Sequence, residues 1–231
     1  NGRPDTYDAL LEGPENVFLD GMPRMTIPFS VRVDRTAGRA HVKIHGAEHA
    51  LQPGRLSEWV TRPLPAAPTI KVTGLTRMMV TELGEHFSLY MTPISIDPER
   101  PAMPISHPDY YSTYLAKKVG PFSTLGLAED TWALNERVVD DGTFLKQTWD
   151  IDEERRRMFF AALDRLRSGS LVTVFDATDR IQHMFWRYIE AGHPAAGATA
   201  DNGAPHPNAI EELYKRNDEL VGRVTAKMRK G

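Results

Sequence analysis

The chain has 231 residues, of which 41% are hydrophobic and 26% are charged, and these ordinary values exclude a disordered protein. Its 28 Lys and Arg residues nearly balance its 31 Asp and Glu residues, so no overall positive field points to nucleic acid as a partner. Because the chain has no cysteine, disulfides and thiolate nucleophiles are excluded, and only Asp, Glu and His remain as metal ligands.

The sequence contains no long apolar segment. Its longest purely apolar run, residues 158–163, is far shorter than the roughly 20 residues that cross a bilayer. Residues 1–5 lack the apolar stretch of a signal peptide. We therefore expect a soluble protein with no membrane partner. The missing signal does not fix the compartment, and a cytoplasmic location is slightly favoured.

The first part of the chain predicts several short strands. Residues 26–33 and 40–45 alternate apolar and polar side chains on either side of a glycine turn, which predicts a hairpin. Further strands are predicted at residues 69–73, 77–83 and 86–94. Frequent glycine and proline residues between them favour a small antiparallel module. Residues 1–96 are therefore predicted to form a β-rich domain.

A proline-rich connector at residues 96–108 leads into a second domain, residues 97–231, in which helical patterns dominate. Helices are predicted at residues 110–119, at residues 153–167 with Asp152 as the N-cap, and from Asn208 onward. Residues 171–175 predict a single strand, which is followed by a further helix, a loop and the helix from Asn208. Because one strand cannot satisfy its own backbone groups, its sheet must be completed elsewhere.

The residues after that predicted strand carry the clearest chemical signal. Asp176, Asp179 and His183 follow it directly, and α/β enzymes assemble their sites at the carboxyl ends of strands. If Asp179 opens a helix, His183 lies one turn later on the same face, so both side chains can converge on one metal ion. The alternative interpretation is that both aspartates only stabilise a helix start and that His183 is an ordinary helix residue.

Two other patterns are weaker candidates. His41, His45 and His49 are spaced by four, but their segment predicts a strand broken at Gly46, which places the imidazoles too far apart for easy chelation. The basic run at residues 155–157 follows two glutamates, and such mixed charge is typical of a solvated helix face.

The segment from Asp179 to His183 resembles the metal-binding Asp-x-x-x-His step of the alkaline phosphatase superfamily, in particular its type I phosphodiesterase/nucleotide pyrophosphatase branch. Residues 104–147 and 210–222 resemble bacterial proteins of the same branch. The resemblance implies an α/β fold, α+β as represented here. It would consist of a partial alkaline-phosphatase-like core with an antiparallel β-rich insertion module.

The resemblance also implies a hydrolase that uses two zinc ions, or manganese, on a phosphate ester or nucleotide-like small molecule. Asp179 and His183 match the residues that hold one metal, and Asp176 could orient His183 or a bound water, or only cap the helix. Such enzymes further use an early strand aspartate, a Thr or Ser nucleophile and a later Asp-His pair, and we find none of these in this sequence. We therefore expect an internal fragment of a larger enzyme that is inactive by itself.

Two hypotheses from different classes remain. In the first, the parent protein is a metal-dependent phosphodiesterase or pyrophosphatase, and the β-rich module acts as a cap that shapes substrate choice. In the second, the chain is a non-catalytic binding or assembly module whose β-rich half presents a partner surface, and the Asp/His pair is structural.

Overall fold

A computed structural model describes residues 5–17, 19, 21, 24–126, 128–195 and 206–228. The chain divides into two compact units, which we call unit 1 (Asn1–Ala128) and unit 2 (Glu129–Gly231). Unit 1 includes residues 97–128, which the sequence analysis assigned to the second domain. One reason is local, since the Thr124 hydroxyl donates a 2.9 Å hydrogen bond to the Ile96 carbonyl and so connects this segment to the β-rich part.

Unit 1 is built from antiparallel strands. Its described strands are β1 Asp5–Glu12, β2 Thr26–Asp34, β3 Arg39–Ile44, β4 Ala47–Leu51, β5 Val60–Ala67, β6 Ile70–Thr76, β7 Met78–Leu83, β8 Phe87–Met91 and β9 Ser95–Ile96. They form a four-stranded sheet in the order β1-β2-β3-β4, a three-stranded sheet in the order β5-β6-β9, and the β7-β8 hairpin. Helix α1, Tyr110–Val119, completes the regular structure of this unit.

The predicted hairpin is confirmed as β2 paired with β3, and its alternation builds the core. Val31 lies opposite Val42 in the register, and both side chains are buried, as are Val33 and Ile44. Each fully buried side chain of this size contributes about 1.5–3 kcal/mol of apolar burial. The opposite face of the same strands carries the polar side chains, as a half-buried antiparallel sheet requires.

Unit 2 is helical in its described residues. The helices are α2 Thr131–Asn135, α3 Asp141–Leu163, α4 Ala177–Phe185 and α5 Ala209–Met228, with a short 3₁₀ turn at Trp186–Tyr188. The predicted helix starting near Asn208 is confirmed as α5. The predicted start at Asp152 was wrong, because α3 begins earlier, where the Asp140 side chain accepts a hydrogen bond from the Thr143 amide. Asp152 lies buried in the middle of that helix.

The predicted strand at residues 171–175 is also wrong for this structure. The segment has no regular secondary structure, and Val172 and Val174 are 87% and 76% exposed. A strand needs a neighbour to exchange backbone hydrogen bonds, and unit 2 contains no strand among its described residues. Phe175, at the end of the segment, packs edge-on against Phe159 with ring centroids 5.8 Å apart.

Together, the helices and the antiparallel sheets give the chain an α+β fold. In the part of the chain that is described, no helix combines the length and the apolar character that a membrane span requires.

Candidate metal centre

Helix α4 presents one buried face and one exposed face. Ile181 and Phe185 are fully buried, while Asp179 and His183 lie on the opposite side, with side chains 54% and 69% exposed. This division follows from the helical period, since residues four apart share a face. The apolar face fixes the helix in unit 2, and the predicted ligand pair stays open to solvent.

The two predicted ligands are brought together. Asp179 Oδ1 lies 3.2 Å from His183 Nε2, so the carboxylate and the imidazole are already in contact. Both atoms are of types that zinc and manganese accept. The spacing of one helical turn therefore gives two converging donors at an exposed surface.

Arg180 holds the other oxygen of Asp179. Its Nη1 donates a 2.7 Å hydrogen bond to Asp179 Oδ2, which leaves Oδ1 directed at His183. The Nε atom of the same guanidinium lies 3.8 Å from Oε2 of Glu129, an ion-pair distance that is too long for a hydrogen bond. Arg180 thus connects the exposed ligand pair to a buried acid. No sequence pattern predicted a role for either residue.

The C-terminal end of α4 is held by a second polar cluster. The Arg187 Nη2 atom donates to both carboxylate oxygens of Asp141, at 2.5 and 2.6 Å, and the Tyr188 hydroxyl also donates to Asp141. Burial, followed by the contact with Asp141, raises the pKa of Tyr188 to about 12. Because Asp141 begins α3, this cluster connects the residues after α4 to the start of α3.

Asp176 stands at the N-cap position of α4, but its side chain makes no capping hydrogen bond. Its backbone carbonyl instead accepts from the amides of Asp179 and Arg180, at 3.0 and 3.2 Å. Its carboxylate acts on Glu129, where its negative charge raises the pKa. An orienting role of Asp176 toward His183 stays a prediction.

Glu129 is the buried acid of this region, with 1% of its surface exposed. Burial is the main cause that raises the pKa of Glu129, and the Asp176 carboxylate raises it further. The positive charges of Arg180 and Arg155 act in the opposite direction. The position of Glu129 is set by α2, since the next residue, Asp130, receives a 2.9 Å hydrogen bond from the Ala133 amide.

We expect Glu129→Gln to flatten the pH dependence of stability. A carboxyl group whose folded pKa lies above its unfolded pKa binds more protons in the folded state, so stability falls as the pH rises through that interval. Denaturant unfolding at pH values from the ordinary glutamate pKa of about 4 upward should show this fall in the natural chain and a smaller fall in Glu129→Gln. Glu153→Gln, at an exposed carboxylate of α3, is the matched control and should leave the profile unchanged.

The described residues offer two donors here and not a complete site. No group of three or more His, Asp or Glu side chains suited to hold a metal ion occurs among them. The three spaced histidines do not converge either. His41 contacts Glu48 at 3.1 Å, His45 lies in a turn with a positive φ of 49°, and His49 contacts Arg62. Zinc normally takes three or four protein ligands, so this pair fits one part of a metal site.

Comparison with known proteins gives no match: no family model, no curated protein and no solved structure is significantly similar to this chain.

Proposed function

We propose that this chain belongs to a metal-dependent phosphoric ester hydrolase of the phosphodiesterase/nucleotide pyrophosphatase type, to which it contributes Asp179 and His183 as ligands of one divalent metal. The observation that carries the proposal is the 3.2 Å approach of Asp179 Oδ1 to His183 Nε2 on an exposed helix face. The resemblance of the surrounding segments to the alkaline phosphatase superfamily supplies the reaction class.

The donor chemistry agrees with this proposal. A carboxylate oxygen and an imidazole nitrogen suit zinc or manganese, and the arginine on Asp179 Oδ2 leaves the second oxygen available. When bound, such a metal neutralises phosphoryl oxygens and activates an attacking group. In this chain, Asp179 and His183 would bind the ion, while Arg180 keeps the carboxylate in position.

The proposed substrate is a phosphate ester or a nucleotide-like small molecule, and the proposed parent protein supplies the nucleophile and the remaining ligands. The competing hypothesis, a non-catalytic binding module, makes the Asp/His pair a surface ion pair. Such a pair between exposed groups contributes about 0–1 kcal/mol to stability. Its loss would then have no effect on any reaction.

Phosphodiesterase activity of the complete protein distinguishes the two hypotheses. With bis(p-nitrophenyl) phosphate as the substrate, Asp179→Ala and His183→Ala should each lower kcat/KM by at least about 100-fold, because each removes a metal ligand. Glu219→Ala, which removes an exposed carboxylate of α5, should keep full activity. A complete protein that binds neither zinc nor manganese, or ligand variants with full activity, would overturn the proposal.

A further inference from the structure

Unit 1 contains a buried cation that no acid among its described residues neutralises. Arg62, on β5, is 7% exposed and makes no ion pair with any described residue. Its Nη1 donates to the Thr61 carbonyl at 2.8 Å, and its Nε has no hydrogen-bond partner in the described part of the chain. Buried charges in proteins are normally paired, so an uncompensated guanidinium calls for an anion nearby.

His49 connects this cation to a surface cleft. The Nη2 of Arg62 contacts His49 Nε2, and a guanidinium can only donate. Nε2 must therefore accept this hydrogen bond. The ring is then neutral with its proton on Nδ1, and Nδ1–H is available as a donor. Both burial and the charge of Arg62 lower the pKa of His49, in agreement with a neutral ring.

The cleft beside His49 has a volume of about 550 Å³ and is lined by the start of β3, by β4 and by the segment that leads into β5. Arg39 and Arg55 line it, both exposed, and neither makes an ion pair with a described residue. Arg77 contacts two residues of the lining. Arg77 Nε donates to the Ser57 carbonyl at 2.7 Å, and its guanidinium lies 5.8 Å from the ring of Trp59.

The acids of the cleft do not balance Arg39, Arg55 and the neighbouring Arg62. Glu48 is engaged by Arg32 at 3.0 Å and by His41 at 3.1 Å. The hydrogen bond from Arg32 is the main cause that lowers the pKa of Glu48, so this carboxylate is already committed to other cations. Glu58 is the remaining acid of the lining. The cleft therefore carries an excess of positive charge, and the buried charge of Arg62 lies close to it.

We propose that this cleft is a binding site for a small oxyanion, a phosphate or a carboxylate group, held by Arg39, Arg55 and the Nδ1–H of His49. Arg62 acts as a positioning residue, since its contact with Nε2 fixes the tautomer of His49. It also supplies the positive charge that the anion neutralises. The site lies wholly in unit 1 and does not depend on the proposed metal centre. Phosphate and carboxylate share the acceptor oxygens that such donors require.

Titration of the whole chain tests the site. The ring ¹⁵N signals of His49 are followed by NMR while sodium phosphate, or in a second arm sodium acetate, replaces sodium chloride at constant ionic strength. We expect a saturable shift of the Nδ1 signal. Arg39→Gln and Arg55→Gln should each weaken the affinity about tenfold, the equivalent of one charge-assisted hydrogen bond. Lys71→Gln, an exposed cation of β6 outside the cleft, should leave it unchanged.

The Arg62→Met variant tests the role of Arg62 separately, through the His49 signals and the anion affinity. In Arg62→Met the buried charge is removed without leaving a buried acid behind, so the fold should keep its stability. The His49 signals should then lose the fixed Nδ1–H tautomer, and anion binding should fall at least about tenfold.

A saturable shift with phosphate alone would show that the cleft binds phosphate groups. A saturable shift with both anions would show that it binds oxyanions in general. The proposal is overturned if neither anion gives a saturable shift. It is equally overturned if the two arginine variants bind as tightly as Lys71→Gln.

Discussion

Replacing Arg156 with alanine is expected to lower the free energy of unfolding of unit 2 by about 3–5 kcal/mol. Arg156 Nε donates a 2.6 Å hydrogen bond to Asp152 Oδ2, and the side chains are only 6% and 1% exposed. Its two remaining nitrogens donate to α5, to the Arg216 carbonyl at 2.8 Å and to Asn217 Oδ1 at 2.9 Å. The substitution therefore leaves a buried carboxylate without its ion-pair partner. It also removes two hydrogen bonds between α3 and α5.

Chemical unfolding followed by circular dichroism measures this effect. Arg157→Ala removes the same group from an exposed position one residue away, and it should cost at most about 1 kcal/mol. The double variant Asp152→Leu with Arg156→Met should recover much of the loss, because it removes both charges together. A loss below about 1 kcal/mol in Arg156→Ala would show that this ion pair does not hold the helices together.

Phe185→Ala is the second large effect, with an expected loss of about 3–5 kcal/mol. The ring is 1% exposed and stacks on Phe144 and Tyr188, with centroids 6.3 and 5.9 Å away. It is the last residue of the buried face of α4, opposite the face that carries the ligand pair. Its removal opens a cavity under the helix that orients the candidate metal centre.

Denaturant unfolding also measures this second effect. Phe185→Leu, which keeps most of the apolar volume, should cost less than half as much as Phe185→Ala. Trp186→Ala truncates the neighbouring aromatic residue, which is 43% exposed, and should change stability much less. If Phe185→Ala and Trp186→Ala were equally mild, the buried face of α4 would not be what fixes this helix.

Periodic patterns of apolar and polar residues, which show which side of a helix or strand is buried, predicted the structure well. The β2-β3 hairpin followed from alternation, and the helix at α5 followed from its apolar spacing and capping residue. The approach of Asp179 to His183 followed from helical spacing alone. Each of these features is local, so a short stretch of sequence contains all of its causes.

The missed strands show where this reasoning stops. β5 contains Pro63 and Pro65, which argue against a strand, yet it lies at the edge of its sheet, where a missing amide donor is tolerated. β1 is exposed along nearly its whole length and so shows no alternation. At residues 171–175 a strand was predicted that does not form, because an apolar run forms a strand only beside a partner strand.

The surroundings of the Asp179/His183 pair and the arginine-lined cleft depend on contacts between distant segments, which composition and spacing do not predict. Arg62 occupies an inward position of β5, where the alternation of buried residues would predict an apolar side chain. A charge at such a position is a usable signal, but only once the strand itself is recognised. Glu129 and Arg180 meet across 51 residues of sequence, and nothing local indicates their pairing.

Metal binding to this chain tests the central claim most directly. In isothermal titration of the whole chain with zinc chloride, we expect weak binding at one site, which Asp179→Ala and His183→Ala each weaken by at least about tenfold. Glu219→Ala and His86→Ala remove the same chemical groups from exposed positions elsewhere and should bind zinc like the natural chain. Zinc binding that is absent from the natural chain, or unchanged in both ligand variants, would contradict the assignment of Asp179 and His183 as a metal-ligand pair.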